Sequence, residues 1–200
     1  LLEEEVGENE RAQEYIKMLL NGAAEMQRML SGALEASRPG ADAVRFERVD
    51  LISRTWEICA RCQLYAGRKD IRLGFHANAD RLELALDEEK YTRILMNLLS
   101  NALKYTPQGT IAIEMDAARP DALVISDTGI GIRPEDLPRV FEKGYTGFNG
   151  REGDRRATGI GLYLCRRILK RLGHTIEIES SPGKGTRVIL GLDSLDLEVE

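Results

Sequence analysis

The chain has 200 residues, of which 42% are apolar and 30% charged, a composition that excludes an intrinsically disordered or fibrous protein. Its 28 basic and 33 acidic residues give a net charge of −5, which does not favour binding to nucleic acid or to an anionic membrane. Three cysteines are too few for a disulfide framework, and no run of about 18 apolar residues predicts a membrane span. We therefore expect a soluble, cytoplasmic, globular polypeptide.

The N-terminal part predicts one long helix over residues 10–38. Its apolar residues recur at spacings of three, four and seven, and they are Tyr15, Leu19, Met26, Leu30, Ala33 and Leu34. Such a helix usually packs on another helix, in an antiparallel hairpin or a dimeric bundle; a single helix packed on the following domain is the alternative. The opening LLEEEVGENE has neither an initiator Met nor a signal pattern, so we expect the sequence to be part of a longer protein.

The rest of the chain predicts alternating helices and strands. In chain order these are a helix over 51–66, the strand IRLGF, a helix over 87–105 capped by Asp87, the strands TIAIEM and ALVIS, a short helix PEDLPRVFE, a helix GIGLYLCRRILKRLG and a hairpin TIEIESS-PGKG-TRVILGL. Residues 144–158 are rich in glycine and charge and lack periodicity, which predicts a mobile loop. This order predicts a two-layer α/β sandwich with a mixed sheet covered on one face by helices.

Polar side chains share one face of the helix that contains NLLSNALKYT. At about 100° per residue, Asn97, Asn101, Lys104 and Tyr105 fall in one sector and the apolar residues fall opposite. Amide oxygens one turn apart suit a hard cation such as Mg²⁺, and a lysine one turn further can reach a phosphate. A polar face that is merely solvated is the alternative.

Two glycine-rich segments offer complementary chemistry. DTGIGI follows a predicted buried strand, so Asp127 can accept a hydrogen bond from an exocyclic amine while Gly129 and Gly131 let the backbone approach a base. TGIGLYL puts Gly159 and Gly161 at the start of an amphipathic helix, where backbone N–H groups and the helix dipole favour phosphate. An ordinary glycine-rich helix start is the alternative for the second segment.

The segments NLLSNALKYT, DTGIGI, VFEKGYTG, TGIGLYL and GKGT, in this order, resemble the ATP-binding domain of sensor histidine kinases, in the superfamily of gyrase, Hsp90 and MutL. The resemblance spans about residues 50–192, and residues 9–38 resemble the second helix of the dimerisation and phosphotransfer hairpin. It implies a Bergerat-type fold, with a partial helical hairpin over 1–40 and a catalytic ATP-binding domain over 44–195. GYTGFNGR resembles the loop of kinases that sense bacitracin-type antibiotics.

The resemblance implies roles for individual residues. Asn101 would be the Mg²⁺ ligand, Lys104 would contact phosphate, Tyr105 would stack on adenine and Asp127 would accept from the adenine amine. Thr186 would sit near Asp127 and hold a water beside the adenine. The remaining ATP-binding residues would be Asn97, Gly129, Gly131, Ile132, Lys143, Gly144, Gly159, Ile160, Gly161 and Leu162.

The implied activity is phosphoryl transfer from MgATP to a protein histidine, from which a response regulator is phosphorylated. The parent protein would be a membrane-anchored homodimer held by the helical bundle, with no role for nucleic acid. The acceptor histidine would lie on a missing upstream helix, since His76 and His174 both lie beside predicted strands and are interpreted as ordinary exposed or half-buried residues. We therefore expect no catalytic residue of this kind within the sequence.

Three further observations bear on this interpretation. Asn97 occupies the position at which ATP-hydrolysing relatives carry a glutamate, so transfer to a side chain is favoured over hydrolysis. A nucleotide-gated binding module and an anti-sigma-type serine kinase remain as alternatives, the second disfavoured by the N-terminal helix. Cys59 and Cys62 lie in a predicted helix without further ligands, which disfavours zinc, and Cys165 is expected to pack in the core.

Overall fold

The computed structural model describes residues 44–67, 69–116, 119–148 and 158–192. The chain divides into two compact units, Leu1–Ala43 and Val44–Glu200. The predicted helix over 10–38 and the partial hairpin over 1–40 lie outside the described residues, as does most of the predicted mobile loop. Among the helices that the structure describes, none combines the length and the apolar character needed to cross a membrane.

The elements follow the predicted order with two additions. The strands are β1 (Glu47–Asp50), β2 (Ile71–His76), β3 (Glu83–Leu86), β4 (Gly109–Asp116), β5 (Arg119–Asp127), β6 (Thr175–Ser180) and β7 (Thr186–Gly191), and the helices are α1 (Leu51–Gly67), α2 (Glu88–Tyr105) and α3 (Gly161–Arg171). The helix α2, predicted over 87–105, and the C-terminal hairpin lie where the sequence predicts them. The strands β1 and β3 were not expected from the sequence.

The main sheet has five strands in the order β2-β4-β5-β7-β6. β2 runs parallel to β4, whereas the other neighbouring pairs are antiparallel, so the sheet is mixed as predicted. β1 and β3 form a separate antiparallel pair, in which Glu47 lies opposite Leu86 and Asp50 opposite Glu83. In the main sheet, the last residues of β5 and β6 therefore lie beside the first residue of β7.

The helices cover one face of this sheet and form the core with it. From α2 the buried residues are Tyr91, Ile94, Leu95, Leu98, Leu99 and Ala102, and from the sheet they include Ile111, Ile113, Leu123, Ile125, Val188 and Leu190. The α2 residues recur at spacings of one, three and four, which is the period of a helix with one apolar face. The prediction of a two-layer α/β sandwich is therefore confirmed.

Asp87 fixes the start of α2. Its Oδ1 accepts a hydrogen bond from the backbone N–H of Lys90 at 3.0 Å, and its Oδ2 accepts one from the Lys90 ammonium at 2.7 Å and one from the backbone N–H of Arg45 at 3.0 Å. Burial alone would raise the pKa of Asp87, but these hydrogen bonds and the Lys90 charge outweigh it and lower the pKa. The predicted N-cap is confirmed, and it also ties the segment before β1 to α2.

Two expectations are wrong. PEDLPRVFE forms only a 3₁₀ turn over Leu137–Arg139 instead of a short α-helix. Pro138 lacks an N–H and disfavours helical backbone at the residue before it, while the Asp136 carboxylate is used elsewhere. His174 is 6% exposed and so is buried, whereas His76 is exposed as expected.

The cysteines lie in the core. Cys59 and Cys62 are buried on α1, and burial raises the pKa of the Cys59 thiol to about 11. Cys165 is buried on α3, as predicted, with its Sγ 3.9 Å from the carbonyl oxygen of Ile94 on α2. These thiols are part of the hydrophobic core.

Candidate functional site

The polar face of α2 borders the site from one side. Asn97, Asn101, Lys104 and Tyr105 are all half-buried, and the opposite face of the same helix is in the core. The ammonium of Lys104 lies 4.9 Å from the centre of the Tyr105 ring, in a cation–π contact. The lysine predicted to contact phosphate and the tyrosine predicted to stack on adenine therefore contact each other.

Asp127 ends β5 and forms the second border. Its Oδ1 accepts hydrogen bonds from the backbone N–H groups of Gly129 at 2.8 Å and Thr186 at 3.3 Å. Burial raises the pKa of this carboxyl, although the two backbone donors and the Thr106 hydroxyl act in the opposite direction. Because both backbone bonds end on Oδ1, the lone pairs of Oδ2 remain available to a ligand that donates a hydrogen bond.

The turn after Asp127 is clamped between α2 and the β6–β7 turn. The backbone N–H of Ile130 donates to the Tyr105 carbonyl at 3.0 Å, and a Cβ on Gly129 would lie 2.3 Å from that same oxygen. Gly131 has φ +69°, and a Cβ there would lie 2.0 Å from the Ser181 carbonyl. Only glycine fits at these two positions, so the turn approaches both neighbours as closely as backbone can.

Ser180 joins the turn to the hairpin. Its hydroxyl donates to the carbonyl of Gly185 at 2.7 Å and accepts from the backbone N–H of Ile132 at 2.9 Å. Its Oγ also lies 3.0 Å from the Thr186 hydroxyl oxygen. Ser180 is half-buried at the end of β6, directly opposite Thr186 in the strand register.

The start of α3 faces the polar side of α2. A Cβ on Gly161 would lie 3.7 Å from Oδ1 of Asn97, an ordinary van der Waals distance, so the two elements lie side by side at this point. Gly159 has φ +62° and packs against the backbone of Gly144 and Tyr145, and its carbonyl accepts from the Gly144 N–H at 3.0 Å. The first N–H groups of α3, which no helical carbonyl can satisfy, therefore lie near an amide oxygen of α2.

Asp136 holds the segment over 144–148. Its Oδ1 accepts from the Tyr145 hydroxyl and its Oδ2 from the backbone N–H of Phe148 at 3.0 Å. The Phe148 ring in turn lies 3.3 Å from the guanidinium carbon of Arg133. These contacts fix the described beginning of the segment that was predicted to be a mobile loop.

The structure brings together most of the predicted residues. Asn97 lies beside Gly161, and Gly144 lies beside Gly159. Asp127 accepts hydrogen bonds from the backbone of Gly129 and Thr186, and the Tyr105 carbonyl accepts one from the turn after Asp127. Ile132, Ile160 and Leu162 are half-buried near these contacts, whereas Lys143 and Gly144 are exposed. The predicted residues thus lie on elements that border one region.

The sequence analysis does not predict three residues that make contacts at the site. They are Thr106, Asp136 and Ser180. The signal for Ser180 is its place opposite Thr186 once the hairpin is paired across the PGKG turn, and the signal for Thr106 is its position directly after α2. No sequence period singles out Asp136, because it acts on residues nine and twelve positions further along.

Comparison with protein families gives a match to the model described as "Histidine kinase-, DNA gyrase B-, and HSP90-like ATPase" over residues 86–196. Among curated proteins, the chain is 29% identical over 191 residues to the sensor protein SrrB of Staphylococcus aureus. That similarity covers 94% of this chain and 33% of SrrB. The chain therefore spans about a third of the length of the curated relatives it matches.

Solved structures share the fold at low sequence identity. ShkA in complex with AMPPNP superposes with a TM-score of 0.72 at 21% identity, covering 92% of this chain and 40% of ShkA. The histidine kinase ThkA in complex with the response regulator protein TrrA gives 0.69 at 19% identity, covering 92% and 52%. Acinetobacter baumannii histidine kinase AdeS gives 0.67 at 18%, covering 90% and 84%.

Proposed function

Because the chain belongs to the histidine kinase-, DNA gyrase B- and HSP90-like ATPase family, we propose that residues 44–195 are the catalytic ATP-binding domain of a sensor histidine kinase. The domain would bind MgATP and pass the γ-phosphoryl group to a histidine on a helix of the parent protein. The observation that carries the proposal is the convergence of the polar α2 face, the Asp127 turn and the glycine-rich start of α3 on one region.

Each border of the site suits one part of the nucleotide. Asp127 Oδ2 can accept from the adenine amine, with Thr186 beside it, and the glycine turn allows the base to approach the backbone. The start of α3 offers N–H donors and the positive end of a helix dipole to the phosphates. Lys104 already lies on the Tyr105 ring, so stacking of adenine on Tyr105 would bring base and lysine to the same side chain.

Magnesium fits the donor set on α2. Asn101 would be the ligand, and Asn97 offers a second amide oxygen near the start of α3. When bound, Mg²⁺ neutralises charge on the phosphates during transfer. Asn97 cannot take a proton from water as a carboxylate can, so this face orients the nucleotide without activating water, and transfer to a side chain is favoured over hydrolysis.

The acceptor would come from outside the sequence described. His76 lies exposed on β2 and His174 is buried before β6, so neither is on a helix that can be delivered to the γ-phosphate. A response regulator would receive the phosphate next, and ThkA, which has a similar fold, was solved with such a protein. Residues 10–38, which the sequence predicts to be helical, would form half of the dimerisation hairpin of a membrane-anchored parent.

Labelled ATP tests the proposal. The 200-residue chain should bind MgATP, remain unlabelled by γ-labelled ATP, and transfer label to a supplied helix of its parent that carries the acceptor histidine, weakly because the bundle must first assemble. Asn101→Ala should abolish transfer, whereas Asn78→Ala, a change at an exposed asparagine before β3, should not. Binding without transfer to an assembled bundle would instead support a nucleotide-gated module, and label on a supplied serine substrate would support a serine kinase.

A further inference from the structure

Three polar residues form a row across three adjacent strands, at the end of the strands that borders the site. Asp127 on β5 lies opposite Thr186 on β7, and Thr186 lies opposite Ser180 on β6. Residues directly opposite each other in antiparallel strands point to the same face of the sheet. The three side chains therefore line the same side, with Thr186 between the carboxylate and the Ser180 hydroxyl.

The hydrogen bonds of Ser180 leave only one arrangement of its proton. A hydroxyl donates one hydrogen bond and accepts two. The Gly185 carbonyl, 2.7 Å away, can only accept, so Ser180 donates there; the Ile132 N–H, 2.9 Å away, can only donate, so Ser180 accepts there. The remaining bond, to Thr186 at 3.0 Å, is then one in which Ser180 accepts and Thr186 donates.

This arrangement determines the direction in which the Thr186 hydroxyl donates its proton. Its single hydroxyl proton points to Ser180, so only lone pairs remain for a ligand. Beside it, Asp127 Oδ1 is occupied by two backbone donors, and Oδ2 also offers lone pairs. The row therefore presents acceptors at both positions next to the proposed base site.

We propose that Ser180 is a positioning residue that makes the site selective for a 6-aminopurine nucleotide by holding the Thr186 hydroxyl as an acceptor. The inference rests on the proposed nucleotide binding and adds the origin of base selectivity. An amine at the 6 position donates to this row, directly or through water, whereas a 6-oxo group would face lone pairs. Inosine triphosphate, which has an oxygen in place of the 6-amine and a hydrogen on N1 where ATP has a lone pair, is the probe.

Removing the Ser180 hydroxyl should change selectivity more than affinity. In Ser180→Ala, the Thr186 proton is no longer held and the hydroxyl can rotate to donate to a 6-oxo group. The ratio of ITP to ATP dissociation constants should then fall about fivefold, the value of one hydrogen bond of about 1 kcal/mol. A residue with a merely structural role would weaken both nucleotides by the same factor and leave the ratio unchanged.

The experiment is calorimetric titration of the 200-residue chain and its variants with ATP and ITP. Ser180→Thr retains the hydroxyl and should retain the wild-type ratio, and Ser181→Ala removes an exposed neighbouring hydroxyl and should do the same. Thr186→Val removes the acceptor itself. Adding Ser180→Ala to Thr186→Val should change the ratio no further, because the two changes act through one group.

The outcomes separate this inference from the proposed function. A lower ratio in Ser180→Ala that is absent from the Thr186→Val background supports it. An unchanged ratio in a folded Ser180→Ala variant that still binds ATP overturns it and leaves the proposed function intact. If Ser180→Ala does not fold, Ser180→Cys, which keeps the size but donates and accepts poorly, gives the same test. Wild-type protein that binds neither nucleotide contradicts both.

Discussion

Asp136 accepts a hydrogen bond from the hydroxyl of Tyr145, nine residues further along the chain. Its second carboxylate oxygen accepts one from the backbone N–H of Phe148 at 3.0 Å, and the side chain is buried. A Cβ on Gly147 would lie 2.8 Å from the same oxygen, so the segment passes close to the carboxylate. One acidic side chain thus holds residues 145–148, which belong to the segment that the sequence predicts to be a mobile loop.

Removing this carboxylate should loosen the beginning of the loop. Asp136→Ala leaves the Phe148 N–H and the Tyr145 hydroxyl without this acceptor, so we expect the free energy of unfolding to fall by about 1–3 kcal/mol. Amide hydrogen exchange over residues 144–148 should become faster. Tyr145→Phe removes one donor and should have a smaller effect, while Glu135→Ala, an exposed neighbour, should have none. Equal exchange in Asp136→Ala and Glu135→Ala would contradict the anchoring role.

The two glycines before and at the start of α3 should respond differently to alanine. In Gly159→Ala the new Cβ would lie 2.5 Å from the Gly144 carbonyl carbon, at φ +62°, so we expect a stability loss of about 1–3 kcal/mol. In Gly161→Ala the Cβ would lie 3.7 Å from Asn97 Oδ1, an ordinary contact, so the fold should be retained. Thermal unfolding of both variants checks this difference.

Gly161→Ala should nevertheless weaken ATP. The added methyl group would occupy space between the start of α3 and Asn97, where the phosphates are proposed to lie, and we expect affinity to fall about tenfold, or about 1.4 kcal/mol. Titration with ATP and with adenosine separates the effects, because adenosine lacks phosphates and should bind equally to both proteins. Unchanged ATP affinity in a folded variant would show that the phosphates do not use this space.

The Asp127 carboxylate should lower the stability of the fold and strengthen the binding of ATP. Burial raises its pKa, so the ionised form costs folding free energy, and the stability from this group is lost as the pH rises from its ordinary value of 3.8 through the raised pKa. Asp127→Asn is neutral at every pH, so it should unfold at an equal or higher temperature than wild type at pH 7. Its ATP affinity should fall by about 1.5–3 kcal/mol, since one charged acceptor oxygen is lost.

Unfolding measured between pH 4 and pH 8, with and without ATP, tests both parts. At the same ATP concentration, ATP should raise the unfolding temperature of wild type more than that of Asp127→Asn. Glu114→Gln, a change of an exposed carboxylate on β4, is the control and should behave like wild type. If ATP stabilises Asp127→Asn as much as wild type, the proposed contact between Asp127 and the base is contradicted.

Asp87 should stabilise the fold above acidic pH. Its pKa is lowered, so its contribution is present above the ordinary value of 3.8 and is lost as the pH falls through the lowered pKa. Asp87→Ala removes the N-cap and the Lys90 and Arg45 bonds, and we expect a loss of about 2 kcal/mol at pH 7 that shrinks below pH 3.8. Urea unfolding measured at pH 7 and again below pH 3.8 checks this, and Asp80→Ala, a change at an exposed carboxylate, is the control. A loss that does not depend on pH would contradict the charged cap.

The predictability of the fold differs between elements for physical reasons. α2 could be predicted because its apolar residues follow the helical period and Asp87 caps it, and the β6–β7 hairpin because its residues alternate around a glycine turn. β1 and β3 could not, because each has only four residues and gains its partner by contact over more than thirty positions. Tertiary pairing decides such short strands.

The site was predictable where chemistry is local. DTGIGI brings its carboxylate and its glycines together within six consecutive residues, so Asp127, Gly129 and Gly131 could be named from the sequence. Ser180 and Asp136 could not, because their roles depend on which atoms lie across a hairpin or at the far end of a loop. A side chain that acts on another residue's backbone leaves no period or motif of its own.

The pairing of β6 with β7 makes the length of the turn between them part of the site. Side chains alternate between the two faces of a strand, so one residue inserted into Ser181–Gly185 that slips the pairing would bring Ser181 or Glu179 opposite Thr186 in place of Ser180. Neither residue would lie where Ser180 meets Gly185 and Ile132. Deletions and insertions in this turn should therefore be more harmful than substitutions at its exposed residues Pro182 and Lys184, and variation among functional relatives should be in composition at these positions but not in number.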